Sequence, residues 1–390
     1  MTSAIREMCV WVRDLWSRFI RSWNAFWFTP RDPAPLALIR ILTGLVLLYS
    51  QVVTWPLILD ALGPTAWLDR QGVEESRLLN DGSHRRDYTD PQARIVSTSG
   101  PVRDAVGNLQ RDATGNVTKP IDRWVGTFSI WVYLPDSAAL ILAIQGIFLI
   151  AVICLILGFG TRIVTVLAWL GHVSYLHRGM VIYSGMDAIL LMLLFYLCFA
   201  PAGTVWSLDA WRARRREKAM GLDAAATGSI PSSLAANIVI RLIQLHMCLI
   251  YFCAGTAKLQ GPTWWNGTAV YLTLMSPEYG CWDMAWLARR DVLWQIVSCL
   301  GGIFTLVVEI GLPFLIWNRA LHPLALLAAL LLHLAVALTT GLGAFQTAMV
   351  AGLVAFVRPE MVRSLLSRLD ASLTRGGEST KSGLRQIPKI

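Results

Sequence analysis

The sequence predicts an all-α, polytopic helical membrane protein with about eight transmembrane helices and an interfacial helix near each end. Three observations carry this reading. The 390 residues are 55% hydrophobic and only 15% charged, with a mean hydropathy of +0.52, far from the balance of an ordinary soluble domain. Several apolar runs are long enough to cross about 30 Å of hydrocarbon. Cationic clusters flank those runs, where the positive-inside rule expects them, so the formal charge of +9 calls for no nucleic-acid partner.

Residues 1–29 interleave Arg6, Arg13 and Arg18 with Trp11, Trp16, Trp23, Phe26 and Trp27. Without the continuous apolar core of a signal peptide, they read as an amphipathic helix lying on the membrane surface. Pro30, Pro33 and Pro35 break the chain before the first span at 36–59. Arg40, near the start of that span, is expected to snorkel toward the interface.

Residues 60–137 are polar and balanced in charge, and read as an external loop with Trp124, Trp131 and Tyr133 seating its end on the bilayer. Spans follow at 138–157, 163–176 and 181–200, the first two joined by the tight turn Gly158-Phe-Gly-Thr-Arg162. The loop 201–233 carries Arg212, Arg214, Arg215, Arg216 and Lys218 and is placed in the cytoplasm. Ser232 and Ser233 offer an N-cap to the span at 234–255. An external segment at 257–291, rich in tryptophan, precedes spans at 292–317, 323–340 and 342–357. Residues 359–390 form a basic tail in which Met361, Leu365, Leu366 and Leu369 recur at helical spacing, as in an interfacial helix. Eight crossings put both termini inside, consistent with residence in the cytoplasmic membrane. The seven cysteines show no C-x-x-C spacing and read as small buried apolar residues, so no metal site or disulfide framework is expected.

The domain 30–358 thus frames a few ionisable groups, each expensive inside a membrane and each needing a partner or a purpose. Lys258 ends an apolar run at the external face, where a Gly-Pro break and the tryptophan pair Trp264 and Trp265 follow. It reads either as a snorkelling lysine or as a base. Glu309 lies deep in its span and reads as a tuner of Lys258 or as the partner of Arg241. His333, mid-span, reads as a proton relay or as a neutral interhelical hydrogen-bonder. Asp187 orients Lys258 or bonds a facing helix. Tyr251, Trp264 and Trp265 are candidate walls of a ring-binding pocket, or interface anchors. The expected pocket opens around Lys258, Asp187 and His333.

At Tyr251-Phe-Cys-Ala-Gly-Thr-Ala-Lys258-Leu the chain resembles the horizontally transferred transmembrane (HTTM) family, which includes the vitamin K-dependent gamma-glutamyl carboxylase. Further stretches fit in order: Leu38-Ile-Arg40-Ile-Leu-Thr-Gly44, Gly158-Phe-Gly-Thr-Arg162, Tyr183-Ser-Gly185-Met-Asp187, Phe199-Ala-Pro201-Ala-Gly203 with Trp206-Ser-Leu-Asp209, then Glu309, His333 and Gly343-Ala-Phe345. The resemblance spans about residues 30–358. It implies that Lys258 deprotonates a vitamin K hydroquinone or menaquinol cofactor, and that the oxygenated product takes a γ-proton from a glutamyl peptide before carbon dioxide adds. A desolvated amine loses basicity, which suits it to accept a phenolic proton near neutral pH. The sequence departs from the carboxylase at Met180, where a histidine would stand. Two function classes result. One is a quinol-dependent carbon-carbon lyase; the other is a non-enzymatic lipid or small-molecule carrier, or a membrane assembly partner, that keeps the fold.

Overall fold

The computed structural model describes residues 2–64, 66–67, 84–86, 95–97, 130, 137–179, 182–221, 232–283 and 285–368. Trp124, Trp131, Tyr133, Met180 and Leu369 lie outside the described residues. Helices dominate: α1 (Thr2–Phe28), α2 (Ala34–Thr54), α3 (Ile58–Leu62), α4 (Ala138–Leu157), α5 (Thr161–Arg178), α6 (Gly185–Cys198), α7 (Leu208–Ala219), α8 (Leu234–Lys258), α9 (Pro262–Trp265), α10 (Ala269–Met275), α11 (Ala285–Ala288), α12 (Asp291–Leu315), α13 (His322–Thr340) and α14 (Gly343–Leu353). Residues 359–368 form a last helix, α15. Within the loop after α3, His84–Arg86 and Ile95–Ser97 pair as a short antiparallel ribbon.

Five helices are long and apolar enough to cross a membrane: Ala34–Leu62, Ala138–Leu157, Leu234–Lys258, Asp291–Leu315 and His322–Thr340. The protein is therefore a multi-pass membrane protein, with three of the eight expected spans falling short. At 14 residues, α6 reaches only ~21 Å. The apolar segment Gly343–Phe356 is likewise short. In α5 the run is diluted by His172, Ser174, His177 and Arg178.

The chain forms two compact units. The first comprises residues 1–50, 151–166 and 188–390. In it Gly158, at φ +67°, has no room for a side chain, because a Cβ there would lie 1.8 Å from Arg40 Nη1 and 2.3 Å from Ser207 Cβ. Arg40 is fully buried and donates from Nη2 to the Trp206 carbonyl at 2.5 Å, which overturns the snorkelling expectation. Trp206 itself sits in the left-handed region at φ 51°, a conformation that costs a bulky residue free energy and that the Arg40 bond helps to hold. Asp209 fastens the same turn, accepting from Gly160 N at 2.9 Å, Thr161 N at 2.8 Å and Thr161 Oγ1 at 2.7 Å. Burial pushes the Asp209 carboxyl up, but these bonds and Arg212 outweigh it and hold the group below its ordinary value. Ser207 caps α7 and Ser233 caps α8, each hydroxyl accepting from the amide three residues on.

Helices α1 and α15 both dock within this unit. Asn237 Nδ2 donates to the Phe26 and Trp27 carbonyls, each at 2.8 Å, satisfying the open carbonyls at the end of α1. In α15, Val362 and Leu366 pack on Ala34, while Met361 and Leu365 stay exposed. The expected apolar stripe of the tail is thus divided between core and surface. Arg363 grips Asp32, Nε to Oδ2 at 2.5 Å and Nη2 to Oδ1 at 2.8 Å.

The second unit comprises residues 51–150 and 167–187. Polar side chains join its helices, as expected where lipid supplies no hydrophobic drive between them. Gln145 donates to Gln51 at 2.5 Å, and Tyr175 to Thr54 at 2.9 Å. Gly171 lets Phe148 lie flush against α5, since a Cβ would sit 2.4 Å from its ring. The cysteines are free; Cys248 is buried, but Cys9, Cys253, Cys281 and Cys299 are exposed, which departs from the expectation of small buried residues.

Candidate functional site

The site begins with a glycine. A Cβ on Gly255 would lie 2.7 Å from Ile310 Cγ1 and 3.1 Å from Glu309 Cβ, so this residue lets α8 and α12 approach to backbone-limited distance. Three residues on, and therefore on the same helical face, Lys258 reaches across that contact. Its Nζ donates to Glu309 Oε1 at 2.9 Å and lies 2.8 Å from Oε2. The Lys258 side chain is 28% exposed and that of Glu309 is 13% exposed. The ammonium, with three N–H donors, thus faces both carboxylate oxygens and neutralises them together. The Gly261-Pro262 break turns the chain into α9, and Trp264 swings back so that Lys258 Nζ stands 5.5 Å from its ring centroid, within cation–π range.

These groups form one end of a cavity of about 360 Å³, within the range of small-molecule sites. Its walls are largely apolar, among them Val270, Leu274, Leu332, Val336, Phe345 and Met349. A second polar chain stands deeper. Tyr251, 2% exposed, precedes Lys258 by two helical turns, which sets it ~10 Å along the same face. Its hydroxyl bonds His333 Nε2 and His333 Nδ1 bonds Gln346 Oε1. The imidazole is thereby oriented by both neighbours, one at each ring nitrogen.

The cavity thus gathers Lys258, Glu309, His333, Trp264 and Tyr251 from four helices. Two expected members lie elsewhere. Trp265 is 73% exposed and donates its indole N–H to the Leu259 carbonyl at 2.7 Å, locking the turn after α8. Asp187 belongs to the second unit, where its Oδ2 accepts from Ser184 N at 2.8 Å and from Ser184 Oγ at 2.9 Å. That is a capping box for α6, and Oδ1 lies 3.5 Å from His172 Nε2. Arg241 takes Gln244 rather than Glu309 as partner, at 3.0 Å. His246 bonds the Tyr196 hydroxyl at 3.0 Å.

Gln346 is the cavity residue that sequence reasoning missed. The available signal was a lone carboxamide in an apolar run, on the helix after His333. Among the described residues no group of His, Cys, Asp and Glu converges as a metal site would. Comparison with protein families matches residues 127–361 to the HTTM domain. No curated protein and no solved structure matches the chain.

Proposed function

The chain belongs to the HTTM family, and from that premise we propose that it is a membrane enzyme of the gamma-glutamyl carboxylase type whose cavity takes a quinol. The observation that carries the reading is the Lys258–Glu309 ion pair standing at one end of a largely apolar cavity. A carboxylate has more lone pairs than one ammonium fills, so a phenolic hydroxyl entering the cavity can donate to Glu309. Glu309 then takes the hydroxyl proton, and Lys258 balances the negative charge left on the ring oxygen. The charge of the assembly is unchanged by the transfer, which keeps it affordable in an apolar pocket. Lys258 thus acts as part of a pair rather than as an isolated neutral amine. Trp264 provides an aromatic wall for a ring, and the apolar lining suits entry from the bilayer.

When bound, the reduced quinone would supply, with oxygen, the strong base that removes a glutamyl γ-proton. The protein's own contribution is to bind the ring, hold the proton at Glu309 and exclude water. The test is incubation of the full chain in lipid nanodiscs with vitamin K hydroquinone or menaquinol, a glutamyl peptide and labelled bicarbonate. The wild type is expected to oxidise the quinol and fix label, and Lys258→Ala to lose both by at least ~100-fold, the range for losing one group that stabilises a developing anion. Turnover that survives the substitution contradicts the proposal. Tight quinol binding without any turnover would instead support the carrier reading, which shares the cavity but not the chemistry.

A further inference from the structure

A second cavity, of about 590 Å³, lies near the start of α8, away from Lys258. Arg31, Arg241, Arg319 and Arg358 all line it, together with His322. No carboxylate lines it, and none of the four arginines forms an ion pair among the described residues. Like charges drawn together without a counter-charge repel, so the arrangement costs free energy unless an anion joins it. Burial pulls the Arg31 guanidinium below its ordinary value, and Glu360, which does not line the cavity, pulls it partly back.

The basic groups are held in place rather than splayed. Arg241 Nε donates to the Phe26 carbonyl at 3.3 Å and Nη1 to Gln244 Oε1 at 3.0 Å. Its guanidinium carbon stands 4.0 Å from the Phe26 ring centroid and 5.9 Å from that of Trp317. Gln244 is itself fixed by the Ala355 carbonyl at 2.7 Å. His322 Nε2 bonds the Phe356 carbonyl at 3.1 Å. These bonds leave Arg241 Nη2 and the Arg319 and Arg358 side chains available to a ligand.

We propose that this cavity binds a phosphate-bearing anion, and that its occupant is the headgroup of an anionic lipid. Three features favour the lipid over a free ion. Arg241 stands seven residues into a spanning helix, ~10 Å from its start, from where a long cationic side chain can reach back to the headgroup level. Phe26 and Trp317 bring aromatic rings to the same level, as at membrane interfaces. The cavity also adjoins the end of α1, whose alternating cations and tryptophans suit a bilayer surface. Basic pockets between spanning helices are a common form of headgroup site.

The test uses the purified full chain and native mass spectrometry with added phosphatidylglycerol or phosphatidylcholine, and inorganic phosphate as competitor. The double variant Arg319→Gln/Arg358→Gln is compared with Arg214→Gln/Arg216→Gln, which removes the same charge from the exposed face of α7. Wild type is expected to retain one phosphatidylglycerol in preference to phosphatidylcholine. The first variant should lose at least about tenfold in that affinity, on the scale of surface arginine–lipid contacts, and the second should match wild type. Inorganic phosphate that displaces the lipid at low concentration would assign the site to the free anion; failure to compete assigns it to the headgroup. Equal losses in the two variants, or equal retention of the two lipids, would overturn the proposal.

Discussion

Two ion pairs in the first unit are matched in exposure and opposite in character. Lys258 and Glu309 are 28% and 13% exposed, and Arg363 and Asp32 are 32% and 12% exposed. In the second pair the guanidinium fork meets both carboxylate oxygens, and Asp32 Oδ1 also accepts from Ala34 N at 2.9 Å. Every oxygen is used, and the pair clamps α15 to the start of α2. In the first pair the carboxylate meets the single Lys258 ammonium, and the pair opens into an apolar cavity. What separates the two pairs is therefore access to a cavity, rather than burial or separation, and the proposed chemistry rests on that access.

The comparison is broken most directly at Glu309. Glu309→Gln keeps the shape and removes the proton acceptor, so quinol turnover should fall by at least ~100-fold, read as oxidised quinone per protein. Gly255→Ala tests the same pair without touching its charges. The added Cβ meets Ile310 at 2.7 Å and should cost ~1–3 kcal/mol by overpacking; turnover should fall more steeply than thermal stability in detergent. Asp32→Asn probes the saturated pair. It should lower stability by roughly 1 kcal/mol, since the partly exposed bridge is screened while the cap is weakened, and leave turnover within about twofold. Tyr251→Phe removes one neutral hydrogen bond, worth ~1 kcal/mol, and should shift stability with a smaller effect on rate. The smallest effect belongs to Asp209, a second saturated carboxylate. Its folded value is depressed, so its stabilisation is present above the ordinary carboxylate range and is lost as pH falls through the lower folded value; Asp209→Asn should flatten that acid limb of a thermal-stability profile.

Much of this architecture was legible in the chain. Lys258, the Gly-Pro break and Trp264 are local in sequence, and Ser233 announces α8 by its position before an apolar run. The partner of Lys258 was not, because Glu309 lies 51 residues away and its choice of Lys258 over Arg241 depends on the close approach that Gly255 permits. Asp187, read as orienting Lys258 or as bonding a facing helix, takes its hydrogen bonds locally. Its Ser-Gly-Met-Asp setting is a local capping pattern, and the local bond decides its role. Arg40 looked like an interfacial cation because distance along the helix was the only guide; its acceptor, the Trp206 carbonyl, exists only once a left-handed residue turns it inward. Five helices reach spanning length against the eight expected, and apolar composition does not report that α6 ends after 14 residues. Trp265 resembled Trp264 in sequence, but adjacent residues of a one-turn helix point in different directions.

The central claim is that the pair at Lys258 carries a proton while the pair at Arg363 only holds the fold. It is tested by measuring quinol oxidation in nanodiscs for wild type, Glu309→Gln and Asp32→Asn, prepared side by side and normalised to folded protein. The expected result is loss of at least ~100-fold in Glu309→Gln and a rate within about twofold of wild type in Asp32→Asn. Equal rates in all three, or equal losses in the two variants, would contradict it.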